Sequence, residues 1–392
     1  MNKPVLTRVV WMLSLVSLSN DIASEMLYPV MPVYLRSIGF SVFFIGILEG
    51  LAEAIAGISK GYFGSLSDRL GKRMPFVRIG YLLSAAAKPM LALSAVPLWI
   101  FGSRTLDRLG KGVRTAARDA LLSDESTPET KGAVFGFHRS LDTVGAVVGP
   151  AVALTILYFL PGQYRLLFLI AFIPGILSVL LLFTFRERQH TGNPAKKAYR
   201  FTVFLEYWKT APVSYRKLVG CLLLFALFNS SDYFLLLKLK NSGLGDIQVI
   251  GVYIFYNIIF AVASYPLGKL GDKIGFRNVM ILGLVLFAAV YADMAVNDNV
   301  VVYLLLFLFY GIYAAATDGI SKAWVTNLVP KNETATAVGT FTAFQSLTAM
   351  VASTLAGFIW MQFGYQSVFL LTSGVTIVVV LLIVVLFPKS KR

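Results

Sequence analysis

Carboxylates inside apolar segments are the residues of this chain whose type and spacing best suit chemistry. Asp21 and Glu25 are four residues apart in one apolar segment, and Glu49 and Glu53 repeat that spacing in the next. A spacing of four places each pair on one face of a helix. An ionisable group inside a bilayer costs about 2.5–3.5 kcal/mol on insertion scales, so it usually marks a pathway or a paired site. Such carboxylates can exchange protons when their surroundings change.

A later apolar segment carries an unusual density of charge. Its charged residues are Arg104, Asp107, Arg108, Lys111 and Arg114. Asp107 can pair with Arg104, Arg108 or Lys111 at helical spacings. The positive charge that remains needs acidic partners from other segments, and the four carboxylates above are the candidates. Three uses of this charged core stay open: proton coupling, binding of an anionic substrate by Arg and Lys, and ion pairs that only hold the helices together.

Charge is sparser in the second half of the chain. Asp232 lies in a segment that is otherwise apolar, and Asp318 and Lys322, one turn apart, are expected to neutralise each other. His138 titrates near neutral pH if it is accessible, although a lone histidine is more often structural. A metal site needs at least three suitable ligands, which no spacing in this chain demands, so we expect neither a metal nor a cofactor.

Aromatic residues accompany the charged ones in several apolar segments. They are Phe43, Phe44, Tyr253, Tyr256, Phe341 and Phe344. They are candidates to line a cavity for lipophilic cations, since aromatic faces attract positive charge. Packing between helices is the commoner role for such residues.

The elements that must position these groups are apolar segments, each long enough to cross a hydrocarbon core of about 30 Å as a helix. The 392 residues are 57% hydrophobic and 14% charged, with a mean hydropathy of +0.73, whereas soluble domains carry about 25% charged residues. The two-residue alternation of a membrane β-barrel is absent. We predict an all-α membrane protein with twelve spans, at residues 8–36, 41–63, 75–95, 97–119, 132–159, 164–185, 216–238, 246–267, 277–296, 299–325, 335–360 and 365–387.

The positive charge of the chain predicts its orientation. The formal net charge is +15, and most of the Lys and Arg residues lie in connections on one side of the predicted spans. Because such residues are retained on the cytoplasmic side, both termini are expected there. This pattern argues against nucleic acid as a partner. The lone Cys221 lies in an apolar segment and cannot form a disulfide within the chain.

One long hydrophilic stretch divides the spans into two groups of six. We predict an N-terminal bundle at 1–188, a cytoplasmic linker at 189–215 and a C-terminal bundle at 216–392. Within the linker, residues 201–208 are expected to form either a short surface helix, with Phe201, Phe204 and Trp208 facing lipid headgroups, or an ordered polar connection.

A ten-residue motif occurs twice, 204 residues apart, after the second and the eighth predicted spans. Internal repeats of this kind indicate two structurally similar halves. The two copies share the residues Gly64, Leu66, Asp68, Gly71 and Arg73, matched by Gly268, Leu270, Asp272, Gly275 and Arg277.

The motif has a physical interpretation of its own. Its glycines permit close packing and a tight turn, Asp68 can cap a helix N-terminus or pair with a base, and Arg69 and Arg73 hold the cytoplasmic side. Asp119 and Asp124, at the end of the fourth span, are the expected acidic partners of Arg73. We interpret the motif as a latch that opens and closes during transport; the alternative is a loop that serves only topology and folding.

The first motif copy resembles the loop between helices two and three of the major facilitator superfamily, and the second lies where the second half of a member would carry it. The resemblance covers the whole chain. It implies two six-helix bundles that rock about a central cavity, with the substrate near the bilayer midplane.

Two further segments resemble particular groups within the superfamily. Gly145, Gly149 and Pro150 are similar to the glycine and proline motif of drug and proton antiporters, which implies export by antiport. The two glycines permit close helix packing, and the proline can bend its helix. Residues 107–124 resemble a bacterial subgroup that includes nickel-resistance exporters. Such exporters often have a histidine-rich tail, whereas this chain has two histidines, His138 and His190.

We therefore expect a proton-coupled secondary transporter, not an enzyme, that exports a small molecule across the cytoplasmic (inner) membrane and works as a monomer. The expected partners are the substrate, protons and the lipid bilayer. Proton-coupled uptake of an organic anion, favoured by the basic fourth span, is the first alternative. A membrane sensor that does not transport and a lipid-translocating protein on the same fold are the others.

Overall fold

The computed structural model describes residues 5–40, 42–184, 203–229 and 232–388. This part of the chain is helical, with one short 3-10 helix (Lys331–Glu333) and no strand. Most of the predicted linker lies outside the described residues. The α-helices are α1 (Arg8–Glu25), α2 (Met31–Ser37), α3 (Val42–Leu70), α4 (Met74–Leu93), α5 (Pro97–Asp124), α6 (Lys131–Phe159), α7 (Tyr164–Phe183), α8 (Val203–Thr210), α9 (Val213–Phe228), α10 (Asp232–Asn241), α11 (Asp246–Ile274), α12 (Phe276–Val296), α13 (Val300–Asn327) and α14 (Thr334–Leu386).

Local sequence signals explain several of the helix ends. The Thr7 hydroxyl accepts a hydrogen bond from the backbone N–H of Val10 and so caps α1. Pro97 stands in the first turn of α5, where the missing N–H has no helical partner to lose. Gly71 and Gly275, at equivalent places in the two motif copies, have φ of 60° and 89°, which only glycine adopts readily. Each therefore makes the tight turn into the next helix.

Most predicted apolar segments coincide with one helix, and three places depart from that pattern. The first segment is divided between α1 and α2 by a turn at residues 26–30. The seventh is divided between α9, which ends at Phe228, and α10, which begins at Asp232. The last two segments run together as α14 with a kink at Gly364, whose φ is 81°. Hydropathy alone indicates where apolar helices lie but not where their backbones break.

Seven helices in the described part of the chain are long and apolar enough to cross a membrane by length and composition. They are α4, α6, α7, α11, α12, α13 and α14. Helix α5 is 28 residues long, but its charged residues leave it without a comparably apolar stretch. A helix of that composition needs polar or charged neighbours.

The chain divides into two compact units. Unit 1 comprises Met1–Ser126, Leu141–Thr210 and Val329–Ala343, and unit 2 comprises Thr127–Ser140, Ala211–Leu328 and Phe344–Arg392. The start of α6 thus belongs to unit 2, although the rest of α6 belongs to unit 1. In the same way the start of α14 belongs to unit 1 and the rest of that helix to unit 2.

In unit 1, small residues let α5 pack closely between α3 and α4. A Cβ on Gly110 would lie 2.6 Å from the carbonyl oxygen of Gly80 in α4. A Cβ on Gly112 would meet Ser59 and the backbone of Ala56 in α3. Real Cβ atoms do not approach so closely, so glycine is required at these contacts. The charged side chains of α5 are held in place by this packing.

The short helix α8 also belongs to unit 1. It packs against α3, where the Phe204 ring covers Gly61, and Phe204 is buried. The prediction of a helix facing lipid headgroups is therefore wrong for Phe204, because the missing side chain at Gly61 gives its ring a place to pack. Phe201 lies outside the described residues.

Unit 2 has an aromatic core between α9, α11, α12 and α13. The Phe287 ring stacks on Tyr291 at a centroid distance of 4.2 Å and lies 4.5 Å from the ring of Tyr313. Tyr310 lies 5.3 Å from Tyr313 and 5.4 Å from Tyr256 of α11. Offset and edge contacts of this kind stabilise aromatic clusters beyond the area they bury. The phenol groups bring oxygen atoms into an otherwise apolar region.

Candidate functional site

Asp107 is the centre of the charged cluster in unit 1. Its Oδ1 accepts a hydrogen bond from Lys88 Nζ at 2.8 Å, and its Oδ2 lies 4.0 Å from Arg104 Nη1. Lys88 comes from α4, is 1% exposed and also donates to Ser24 Oγ of α1 at 3.1 Å. A buried ammonium is tolerated only with an acid partner. This pair therefore fixes α5 against α4 beside the end of α1.

Glu53 on α3 makes looser contacts. Its two carboxylate oxygens lie 3.8 Å from Lys60 Nζ and 3.7 Å from Arg108 Nη1, and its side chain is 43% exposed. Lys111 is exposed too and acts electrostatically on Glu53. A half-exposed carboxylate with long ion pairs can exchange a proton, or it can release its basic partners so that they bind a ligand. Glu49 lies one turn earlier in α3, but its side chain is outside the described part of the structure.

Asp21 lies where α1 passes α6. A Cβ on Gly145 would be 2.8 Å from Asp21 Cβ, and one on Gly149 would be 2.8 Å from the backbone of α1. The glycines thus let the two helices touch, while α6 continues as a helix through Pro150. Asp142, Arg114, Glu25 and Lys111 are the charged groups that act most strongly on Asp21. The structure therefore brings Asp21 and Glu25 to the same charged region as α5.

Two more arginines of α5 have buried partners in unit 1. Arg114 donates to Ser84 Oγ at 2.7 Å, and its guanidinium lies 4.5 Å from the Tyr81 ring centre. Arg118 donates to Ser17 Oγ at 2.9 Å, and its Nη2 lies 2.9 Å from Asp119 Oδ1. Asp119, expected beside Arg73, thus forms an ion pair with its chain neighbour Arg118.

The first motif copy holds the start of α14. Asp68 Oδ2 accepts hydrogen bonds from the backbone N–H of Thr336 at 2.6 Å and from its hydroxyl at 2.8 Å. Asp68 Oδ1 accepts the N–H of Ala335 at 3.3 Å. A Cβ on Gly64 would collide with the Ala335 carbonyl, so this glycine lets α3 reach the helix end. A carboxylate at a helix N-terminus satisfies unpaired N–H groups and complements the helix dipole.

Arg73 extends this contact into an ion-pair network. It lies 2.8 Å from Asp68 Oδ1 and 2.8 Å from Asp124 Oδ2 at the end of α5, and it donates to the Lys331 carbonyl at 3.1 Å. Arg73 is 4% exposed. Arg69 lies in the last turn of α3. The network joins α3, α5 and the segment before α14 within unit 1.

The second motif copy makes the equivalent contact in unit 2. Asp272 accepts the N–H groups of Gly132 and Ala133, at the start of α6, at 2.7 and 2.8 Å. Gly268 packs directly on the Gly132 carbonyl. Arg277 instead donates to the neighbouring Asn278 and, at 3.4 Å, to the Val384 carbonyl. Among the described residues, both motif copies hold a helix start, but only the first adds an arginine to its aspartate.

Asp232 forms a different kind of cluster in unit 2. Its carboxylate accepts hydrogen bonds from Tyr256 Oη at 2.7 Å and from Tyr310 Oη at 2.5 Å. Next to them, Asn229 Nδ2 donates to Tyr313 Oη at 3.3 Å. Asp232 and Tyr256 were candidates from the sequence, whereas Tyr310 and Tyr313 of α13 were not. In the sequence a tyrosine that binds a carboxylate looks the same as one that only packs between helices.

Two other groups have partners that the sequence did not reveal. Asp318 lies 2.7 Å from Arg139 Nε in unit 2, a partner that the sequence spacing with Lys322 did not indicate. Lys88 was also missed, although an intramembrane lysine between Ala87 and Pro89 was a visible signal.

Comparisons with known proteins agree with this architecture. The model of the Major Facilitator Superfamily matches residues 13–255 and 223–392. An uncharacterized MFS-type transporter of Methanocaldococcus jannaschii is 34% identical over 384 residues, 95% of either chain. The quinolone resistance protein NorA of Staphylococcus aureus is 28% identical over 109 residues, 28% of either chain.

A solved structure gives the same result for the fold. The crystal structure of the human organic anion transporter MFSD10 covers 97% of this chain and 100% of its own, with a TM-score of 0.82 at 18% identity. At that identity the likeness concerns the fold alone. The match of the family model over most of the sequence confirms the prediction made from the repeated motif. This chain belongs to the major facilitator superfamily and is a multi-pass membrane protein of the transporter type.

Proposed function

We propose that this chain exports a small molecule across the cytoplasmic membrane in exchange for protons. In this proposal twelve spans form two six-helix halves, residues 1–188 and 216–392, joined by the linker at 189–215, with both termini in the cytoplasm. The agreement between the helices and the predicted apolar segments supports it, as does the concentration of Lys and Arg in the connections on one side.

The charged cluster of unit 1 is the observation on which proton coupling rests. Lys88 and Asp107 form a short buried pair, whereas Glu53 keeps two long ion pairs and a half-exposed carboxylate. Two carboxylates in such different surroundings differ in how readily they take up a proton. We assign the exchangeable proton to Glu53 and the support of the cluster to Asp107. Asp21, on which Asp142 and Arg114 act electrostatically, is a second candidate for the proton.

In this proposal the contacts of the two motif copies change during the movement that transport requires. Asp68 and Asp272 each hold the start of a helix from the other half of the sequence. If the halves rock, these hydrogen bonds must break in one state and re-form in the other, as in alternating access. The additional pairing of Arg73 with Asp68 and Asp124 makes the first contact the stronger of the two.

Export is favoured over import by two observations. Gly145, Gly149 and Pro150 resemble the motif of drug and proton antiporters, and this resemblance implies export. A quinolone resistance protein is among the partial relatives, and removal of a compound from the cell is one route to resistance.

Proton movement in liposomes tests this function. Purified protein is reconstituted with a pH-sensitive dye inside and exposed in turn to lipophilic cations, organic anions and divalent metals. We expect one class to move protons through the wild type, and Glu53→Gln to abolish that movement. Glu129→Gln, at an exposed position, is the matched control and should behave as the wild type. Equal proton movement in Glu53→Gln and wild type would remove the proposed role of Glu53.

Uptake of an organic anion is the second candidate function. It is favoured by the positive charge that Arg108 and the exposed Lys111 present near Glu53, and its substrate would be held by guanidinium and ammonium groups. The same liposomes distinguish the two, because symport moves protons in the direction of the substrate and antiport moves them against it. A sensor that does not transport predicts no flux with any compound.

A further inference from the structure

We propose that the cluster of Asp232, Tyr256, Tyr310, Tyr313 and Asn229 is a binding subsite for a monovalent organic cation. This inference rests on the proposed export function and names its substrate class. All five residues belong to unit 2. Asn229 and Asp232 lie at the break between α9 and α10, and the three tyrosines come from α11 and α13.

The charge of the cluster is the first argument. The partners of Asp232 among the described residues are the two phenols, and no lysine or arginine there lies within ion-pair distance. Arg139, which acts on Tyr256, is paired with Asp318 at 2.7 Å. A carboxylate at membrane depth without a basic partner is costly. A bound cation would supply the missing countercharge.

The hydrogen-bonding capacity of the cluster is the second argument. Tyr256 and Tyr310 each give their single O–H to Asp232, so their remaining capacity is to accept. Asn229 gives an N–H to Tyr313, while its Oδ1 is buried and has no partner among the described residues. The acceptors left over are the Asn229 Oδ1 and the two phenol oxygens on Asp232, beside the O–H of Tyr313 and the second N–H of Asn229. The acceptors suit a positively charged ligand that donates hydrogen bonds or attracts lone pairs.

The aromatic rings of the cluster indicate an organic ligand. The rings of Tyr256, Tyr310 and Tyr313 follow one another at centroid distances of 5.4 and 5.3 Å, with Phe287 4.5 Å from Tyr313. Aromatic faces attract cations and favour those with apolar substituents. A single carboxylate provides one countercharge and too few ligands for a metal ion. Asp232 is only half-buried, so it is the group that a ligand can reach.

Binding of tetraphenylphosphonium to the purified full-length protein tests the subsite. We expect Asp232→Asn, which keeps the shape but removes the charge, to raise the Kd at least tenfold. The double variant Tyr256→Phe, Tyr310→Phe keeps the rings but releases the carboxylate, and should weaken binding less than Asp232→Asn. Glu129→Gln serves as the control, and thermal unfolding of each variant shows whether it is folded.

The outcomes separate the subsite from the wider proposal. Equal affinity of wild type and folded Asp232→Asn for tetraphenylphosphonium would overturn the subsite, as would no binding to the wild type. Competition by the anion fluorescein, with no effect of Asp232→Asn, would overturn it in favour of an anion site. If binding depends on Asp232 but neither tetraphenylphosphonium nor any other compound of the panel moves protons through the wild type, the subsite stands and proton-coupled export fails.

Discussion

Removal of the Asp107 carboxylate should destabilise unit 1 strongly. Removal of its partner Lys88 as well should restore most of the lost stability. Asp107→Asn leaves Lys88, which is 1% exposed, without the acid that lies 2.8 Å from its Nζ. Arg104 Nη1, 4.0 Å from the same carboxylate, loses part of its compensation as well. Removing one partner of a buried ion pair costs about 3–5 kcal/mol.

The magnitude for this pair lies at the lower end of that range. The Asp107 side chain is 15% exposed, so water screens the pair in part, and Ser24 Oγ still accepts a hydrogen bond from Lys88. We therefore expect Asp107→Asn to cost about 3 kcal/mol of unfolding free energy. The double variant Lys88→Met, Asp107→Asn removes the buried ammonium but not the loss of the Arg104 contact, and we expect it to recover most of the stability that the single variant loses.

Unfolding by denaturant in one detergent, with helix content as the signal, gives the difference between the variants. Transport measured in parallel shows whether the pair has a role beyond stability, because a purely structural pair predicts that the double variant transports normally. A loss below about 1 kcal/mol in Asp107→Asn, or a double variant as unstable as the single one, would refute the reasoning from a buried pair.

The remaining predictions concern helix contacts and one loop. Asp68→Asn should lower the unfolding free energy on the order of 1–3 kcal/mol. Asp272→Asn should lower it less, because Arg73 pairs with Asp68 whereas Arg277 donates to the Val384 carbonyl. Thermal unfolding compares the two variants. Gly145→Ala should cost about 1–3 kcal/mol by overpacking, whereas Gly220→Ala, with open space around it, should be neutral or stabilising in the same assay. A hydrogen bond from Lys238 lowers the pKa of Asp298 below its ordinary 3.8. The contribution of this contact to folding stability is therefore present above pH 3.8 and disappears as the pH falls through the folded-state pKa. Thermal unfolding over a pH series should show the stabilities of the wild type and Asp298→Asn converging in acid.

The sequence predicted the helices well because the signal for an apolar helix is local. The segments at 75–95, 97–119 and 277–296 differ from α4, α5 and α12 by a few residues at either end. The repeated motif predicted the family, which the comparisons confirm. Backbone breaks such as that before Asp232 were not predicted, although the polar residues 229–232 interrupt the apolar composition there, because a short polar run is also tolerated inside a continuous helix.

The partners of the charged groups were harder to predict. Sequence spacing suggested that Asp107 pairs within α5 and Asp318 within α13, yet their short contacts are with Lys88 of α4 and Arg139 of α6. A spacing of three or four residues shows only that two side chains can meet on one helix. Which neighbour lies closer depends on how the helices pack.

The sequence by itself determined that this is a helical membrane protein of the major facilitator superfamily, because hydropathy and the repeated motif are properties of contiguous residues. Only the tertiary structure decided that Asp68 caps a helix start 268 positions along the chain and that Asp232 is held by two tyrosines from different helices. Hydrogen bonds and ion pairs act over a few ångströms in space, whereas the sequence records distance only along the chain.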